Sequence, residues 1–106
     1  MLCVSALYRN DGSGRFDAAY YLGPHTDLAN RLLKPAGLIA IRATIGEHSL
    51  DGSRPPYFAI SELHFPDRAT FDAAMAAHGA EVSADVANYT NVSPILQVST
   101  IAGLAD

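Results

Sequence analysis

The chain has one cysteine, only seven basic residues and no long apolar run, and each shortage excludes a class of protein. Cys3 alone cannot form an internal disulfide, which fits a reducing compartment, and it is expected to be a small buried residue. The seven basic residues are scattered and the net charge is −4, so no nucleic-acid partner is expected. No apolar run approaches the length of a membrane span, and MLCVSALYRN lacks the features of a signal peptide. The composition therefore predicts a cytoplasmic protein with no membrane partner.

The chain is rich in apolar residues. They make up 49% of its 106 residues, against 17% charged residues, so disorder is not expected. The length fits one domain, residues 1–106, with a single core. Because a chain of this size buries only a modest share of its surface, we expect a second subunit to cover some of the apolar remainder.

Hydrophobic periodicity and turn residues divide the chain into four strands and two main helices. The strands are predicted at Leu2–Tyr8, Leu38–Ile45, Tyr57–Phe65 and Ile95–Ile101. The helices are predicted from a cap at Asp17 to Leu33, from a cap at Asp67 to Gly79 and, as a shorter turn, from Glu81 to Ala87. Pro24 removes one backbone hydrogen bond inside the first helix, so a kink is expected there.

This order, β-α-β followed by β-α-β, predicts a ferredoxin-like α+β fold. Such a fold has a four-stranded antiparallel sheet with both helices on one face. The third strand directs one set of side chains to each face: Tyr57, Ala59, Ser61, Leu63 and Phe65 against Phe58, Ile60, Glu62 and His64. Since neither set is clearly polar, the face without helices also needs a cover. A homodimer formed through this sheet face is expected.

A histidine occupies the predicted inner side of the first helix. Tyr21, His25, Leu28 and Leu32 recur at helical spacing, which directs His25 toward the sheet. Asp85 takes an apolar position in a similar stripe formed by Val82, Asp85, Val86 and Tyr89. Asp85 is therefore a candidate partner for His25, directly or through water. The alternative reading, a hydrogen-bonded structural histidine, is common in proteins, since a buried polar group without a partner costs about 1–3 kcal/mol.

Other cofactor and metal chemistry finds little support in the sequence. His64 lies beside Glu62 by strand alternation and is interpreted as an interface residue. The four histidines lack the spacing of helical metal ligands, so no metal site is expected. The GSG at positions 12–14 lacks the spacing of a dinucleotide loop, so no nucleotide cofactor is expected either.

Three segments together resemble the EthD family of small bacterial proteins. They are RFDAAYYLGPHTDLANRLL at 15–33, PPYFAISELHF at 55–65 and ADVANYTNVSPILQVS at 84–99. The most specific part is the pattern F-D-x-x-Y-Y-x-x-x-H, which ends at His25. The resemblance implies ferredoxin-like subunits that pair through their sheets into a dimeric α/β barrel. It also assigns the family's helix-one histidine to His25, the tyrosine pair before it to Tyr20 and Tyr21, and an acidic residue to Asp85.

The resemblance and the patterns lead to one functional expectation with two alternatives. We expect a small apolar, aromatic or polyketide-like ligand between the first helix and the sheet, contacted by Tyr20, Tyr57 and Tyr89. His25 is expected to act as general acid or base, Asp85 to orient it and Tyr21 to bind a substrate oxygen, without a cofactor. The candidate reactions are isomerisation, dehydration, decarboxylation and cofactor-free oxygenation; haem binding is disfavoured. The alternatives are a non-catalytic ligand-binding accessory protein of a degradation pathway and a purely structural dimer.

Overall fold

The fold consists of one sheet with helices packed on one of its faces. A computed structural model describes residues 1–103. Its strands are β1 Leu2–Arg9, β2 Ala40–Ile45, β3 Tyr57–Phe65 and β4 Ile95–Thr100. Its helices are α1 Ala18–Tyr20, α2 Thr26–Leu33 and α3 Arg68–Ala84. A π-helical turn, Tyr21–His25, joins α1 to α2, and a 3₁₀ turn, Asp85–Asn88, follows α3.

The four strands form an antiparallel sheet in the order β2-β3-β1-β4. This confirms the predicted ferredoxin-like α+β fold. β3 has the predicted limits, whereas β2 begins two residues later than predicted, at Ala40, and β4 ends one residue earlier, at Thr100. The predicted domain extends to residue 106, and its last three positions lie outside the described residues. Within residues 1–103, no helix combines the length and apolar character that crossing a membrane requires.

A compact apolar cluster joins both helices to the sheet near the end of β3. Its buried residues are Ala29, Leu33, Leu38, Phe65 and Ala74. Leu33 and Phe65 have no exposed surface, and full burial of such side chains stabilises the fold by about 1.5–3 kcal/mol each. This cluster fixes α2 and α3 over the sheet. A second, aromatic cluster contains the buried residues Tyr8, Tyr21, Ala59 and Tyr89.

The first helix is interrupted at Pro24, as predicted, but by a π turn. An α-helical Pro24 would crowd the carbonyl of Tyr20, and the wider π turn accommodates the ring. The hydroxyl of Thr26 donates to the carbonyl oxygen of Tyr21 at 2.8 Å, which satisfies a backbone group within the turn. Asp17 caps α1 by accepting from the Tyr20 N–H at 3.1 Å, as predicted.

The buried stripe of this helix differs from the predicted one beyond His25. Tyr21 and His25 are buried as expected, but the stripe continues through Ala29 and Leu33, while Leu28 and Leu32 are only half-buried. Residues four apart on an α-helix point within about 40° of each other, so Ala29 follows His25 more closely than Leu28 does.

The prediction that the second main helix ends at Gly79 is wrong, since α3 continues to Ala84. Glycine ends a helix when it adopts a positive φ, and Gly79 is not among the residues that do so. Alanine-rich sequence on both sides favours continuation. The segment predicted as a separate turn, Glu81–Ala87, is therefore divided between the last turn of α3 and the 3₁₀ turn.

Candidate functional site

Hydrogen bonds hold the segment after α3 against the start of the first helix. The Asp17 N–H donates to the carbonyl of Tyr89 at 2.8 Å, and the Thr90 hydroxyl donates to the carbonyl of Arg15 at 2.6 Å. The Arg15 N–H in turn donates to Oδ1 of Asn91 at 2.9 Å. These contacts place the 3₁₀ turn directly over the π turn.

His25 and Asp85 meet where these two turns contact each other. Nδ1 of His25 lies 2.9 Å from Oδ2 of Asp85, and the histidine has only 9% of its surface exposed. The other carboxylate oxygen accepts from the hydroxyl of Tyr20 at 2.7 Å and from the amide of Asn88 at 2.8 Å. Burial opposes the charge of Asp85, but the hydrogen bonds outweigh it and lower the pKa of the carboxyl. In the neutral form of the imidazole, an ionised Asp85 favours the hydrogen on Nδ1, and the lone pair is then on Nε2.

A tyrosine pair approaches the second nitrogen of His25. The hydroxyl of Tyr89 lies 3.5 Å from Nε2, and the hydroxyls of Tyr8 and Tyr89 are 2.6 Å apart. Burial raises the pKa of both tyrosines, so each hydroxyl keeps its proton at neutral pH. The long contact to Nε2 is weak, and this nitrogen is therefore available to another partner.

The site opens into a cavity between the helices and the sheet. The space inside the cavity and the open solvent at its mouth together measure about 880 Å³. One part of its wall is polar and includes Tyr8, Tyr21, His25, Thr26 and Ser61. Apolar side chains form most of the remainder: Val4, Ala29, Ile41, Ala43, Leu63, Phe71, Met75, Val82, Val86, Pro94 and Leu96. Among the described residues, no lysine, arginine, aspartate or glutamate lines it.

Tyr21 provides a neutral hydroxyl to this cavity. Its ring is buried and stacks on the imidazole of His25, with 5.8 Å between the ring centroids. Burial raises the pKa of Tyr21 to about 12, and the nearby Ser61 hydroxyl opposes this rise only in part. Tyr21 is therefore a hydrogen-bond donor near neutral pH.

The structure brings together five of the six residues selected from the sequence. His25 and Tyr21 line the cavity, Asp85 and Tyr20 form the hydrogen-bonded support, and the hydroxyl of Tyr89 contacts Nε2 of His25. Tyr57 lies elsewhere, in a separate pocket between β2 and β3, and does not line the cavity near His25.

Tyr8 belongs to the site although no helical stripe in the sequence pointed to it. Strand alternation was the available signal, because Tyr8 shares a face of β1 with Val4 and Ala6, and all three line the cavity.

Comparisons with known proteins agree with this architecture. Residues 15–93 match the EthD domain. An EthD-like protein from Ralstonia eutropha JMP134 is 31% identical, with a TM-score of 0.88 over 96% of this chain and 92% of that one. An ethyl tert-butyl ether D (EthD) family protein from Bacillus halodurans C-125 is 19% identical, with a TM-score of 0.75 over 94% of this chain and 97% of that one.

The similarity to a third, more distant structure shows the fold alone. It is a dimeric ferredoxin-like protein of unknown function from Jannaschia sp. CCS1, 20% identical, with a TM-score of 0.60 over 94% of this chain and 98% of that one. No curated protein matches this sequence. The matched domain spans most of the chain, including His25 and Asp85, and the chain therefore belongs to the EthD family.

Proposed function

We propose that this protein is a homodimer that binds a small, neutral, mostly apolar molecule and transfers protons to and from it without a cofactor. One observation carries the proposal: the hydrogen-bonded pair of His25 and Asp85 stands at the polar part of an otherwise apolar cavity. An orienting carboxylate, a nitrogen with a free lone pair and a neighbouring hydroxyl are the parts of a general acid/base site.

The cavity wall supports a neutral ligand. A carboxylate or phosphate ligand would need a cation or several donors, and the described wall offers hydroxyls and one imidazole but no lysine or arginine. A ligand with one hydroxyl or carbonyl group at one end and a hydrocarbon or aromatic body fits this division. This requirement favours isomerisation or dehydration over decarboxylation among the reactions considered.

The proton transfer is expected to use Nε2 of His25. Nε2 takes a proton from a carbon or hydroxyl of the ligand, and the imidazolium that forms is stabilised by ionised Asp85 at Nδ1. Tyr21 donates a hydrogen bond to the ligand oxygen on which negative charge develops. The imidazolium then returns its proton, either to a second carbon, which isomerises the ligand, or to a leaving hydroxyl, which departs as water.

A second copy of the chain is proposed to cover the sheet face that carries no helices. The register places Leu7 opposite Ile60 on one side and Ile95 on the other, so the three form an apolar row across β3, β1 and β4. Ile95 is 48% exposed at the edge strand. An apolar row beside an unpaired edge is a surface that a protein usually covers.

Replacing Ile60 with glutamate is expected to separate the subunits. By light scattering, the wild-type protein should have twice the 11.2 kDa mass of one chain, and Ile60→Glu should have the mass of one chain. Ala77 is exposed on α3, away from the sheet face, so Ala77→Glu is the control for added charge and should remain a dimer. A wild-type mass equal to one chain contradicts the proposed dimer.

Filling the cavity is expected to abolish ligand binding. Ala43 lines the cavity on β2, and Ala43→Phe occupies the space that the ligand needs. Calorimetric titration with 2-naphthol is expected to show at least about 100-fold weaker binding to Ala43→Phe, because the overlap forces strained packing that costs several kcal/mol. Ala77→Phe, at an exposed position on α3, is the control and should bind as the wild type does.

The same titration tests the predicted neutrality of the ligand. 2-Naphthoic acid has a similar ring system but is ionised at neutral pH, and it should bind more weakly than 2-naphthol. Equal binding of both, or binding unaffected by Ala43→Phe, contradicts the assignment of this cavity. Binding without any proton transfer supports the accessory-protein alternative.

A further inference from the structure

A second group of reactive side chains lies on the sheet face opposite the cavity. Cys3 of β1 is paired with His64 of β3, and Glu62 lies two residues before His64 on the same face. The candidate ligand atoms of these three residues all lie within 4.8 Å of one another. Nε2 of His64 already contacts Oε1 of Glu62 at 2.9 Å, and Cys3 is buried.

We propose that Cys3, Glu62 and His64 form a binding site for a divalent cation of the zinc type. Thiolate, imidazole and carboxylate are the three protein ligands that Zn²⁺ accepts, at about 2.0–2.3 Å. Ligand atoms in a tetrahedral site are then about 3.3–3.8 Å apart. Displacements of about 1 Å in the ligand atoms of these side chains therefore suffice to form the site. A water molecule takes the fourth position.

The surroundings of the trio leave room for the ion and its water. Ala40 lies opposite His64, Ser99 lies opposite Cys3 and Ser5 lies opposite Glu62, and all three are small. The trio lies on the sheet face opposite the cavity, so the metal site is independent of the cavity. It shares this face with the apolar row: Leu7 is about 13 Å from Cys3 along β1 and Ile60 is about 7 Å from Glu62 along β3, at about 3.3 Å per residue. The metal site therefore lies beside the proposed dimer contact.

One exposed arginine lies beside the proposed metal site. Arg42 lies opposite Glu62 on β2, and among the described residues it is not part of an ion pair with that carboxylate. Binding replaces the thiol proton of Cys3 by the metal and breaks the His64–Glu62 hydrogen bond, so protons are released and affinity rises with pH. Because the guanidinium repels the cation, Arg42→Gln is expected to tighten binding modestly.

The test is titration of the full chain with Co²⁺, whose thiolate complexes absorb in the near ultraviolet. The wild-type protein should show this charge-transfer band, saturating at one ion per chain, and excess Zn²⁺ should remove it. Cys3→Ser should lose the band. His64→Gln and Glu62→Gln should weaken binding more than about 100-fold, since losing even an outer hydrogen-bond partner of a ligand costs about 10- to 100-fold.

His48→Gln is the matched control, because His48 lies in an exposed loop away from the trio. It should leave the band and the stoichiometry unchanged. Circular dichroism checks that each variant is folded. If Cys3→Ser does not fold, His64→Gln and Glu62→Gln still test the proposal. Absence of the band in the wild type, or a band that survives in His64→Gln and Glu62→Gln, overturns the proposal.

Discussion

Replacing His25 with glutamine is expected to slow proton transfer to a bound ligand by about 10²- to 10⁴-fold, the usual contribution of a general acid/base. The reason is that glutamine preserves a polar side chain but accepts no proton near neutral pH. The measurement is exchange of the hydrogens next to the carbonyl of 2-tetralone, a neutral bicyclic ketone, for deuterium by NMR. This exchange reports on proton transfer directly, whatever reaction the natural ligand undergoes.

Two further variants separate catalysis from folding and positioning. His48→Gln makes the same change in an exposed loop and should exchange as the wild type does. Asp85→Asn removes the charge that stabilises the imidazolium, so it should slow exchange while 2-naphthol still binds. Exchange at the wild-type rate in a folded His25→Gln protein would leave His25 with a structural role only.

The fold was predictable because its signals are local. Strand alternation, turn residues and the caps at Asp17 and Asp67 each depend on a few neighbouring residues, and the structure confirms both caps. The end of α3 was not predictable from Gly79 alone, because a helical glycine and a terminal glycine differ in a backbone angle that the sequence does not specify.

The candidate site was predictable only where helical stripes carried the information. His25 and Asp85 each interrupt an apolar stripe, and two inward-facing polar groups on neighbouring elements were natural partners. Tyr8 required the register of β1 against the rest of the site, and the trio of Cys3, Glu62 and His64 required the pairing of two strands. Spacing rules for metal ligands cover positions along one element and do not include pairs brought together across a sheet.

Leu33→Ala is expected to lower the free energy of unfolding by about 2–5 kcal/mol, the usual cost of a Leu→Ala change in a core. Leu33 is fully buried between α2, α3 and the sheet, so its loss leaves a cavity. Since domains of this size are stable by only about 5–15 kcal/mol, urea denaturation should show a large shift of the midpoint. Leu22 lies in the same helical region but is 50% exposed, and Leu22→Ala should change stability by less than about 0.5 kcal/mol.

The comparison of these two leucines also tests how the molecule divides stability from chemistry. Leu33 belongs to the aliphatic cluster, whereas Tyr8, Tyr21 and Tyr89 form the aromatic cluster that surrounds His25. If the two clusters are separate, folded Leu33→Ala protein at low temperature should bind 2-naphthol and exchange 2-tetralone at wild-type rates. A slower 2-tetralone exchange rate in folded Leu33→Ala protein would instead mean that the helix packing near Leu33 positions His25 for proton transfer.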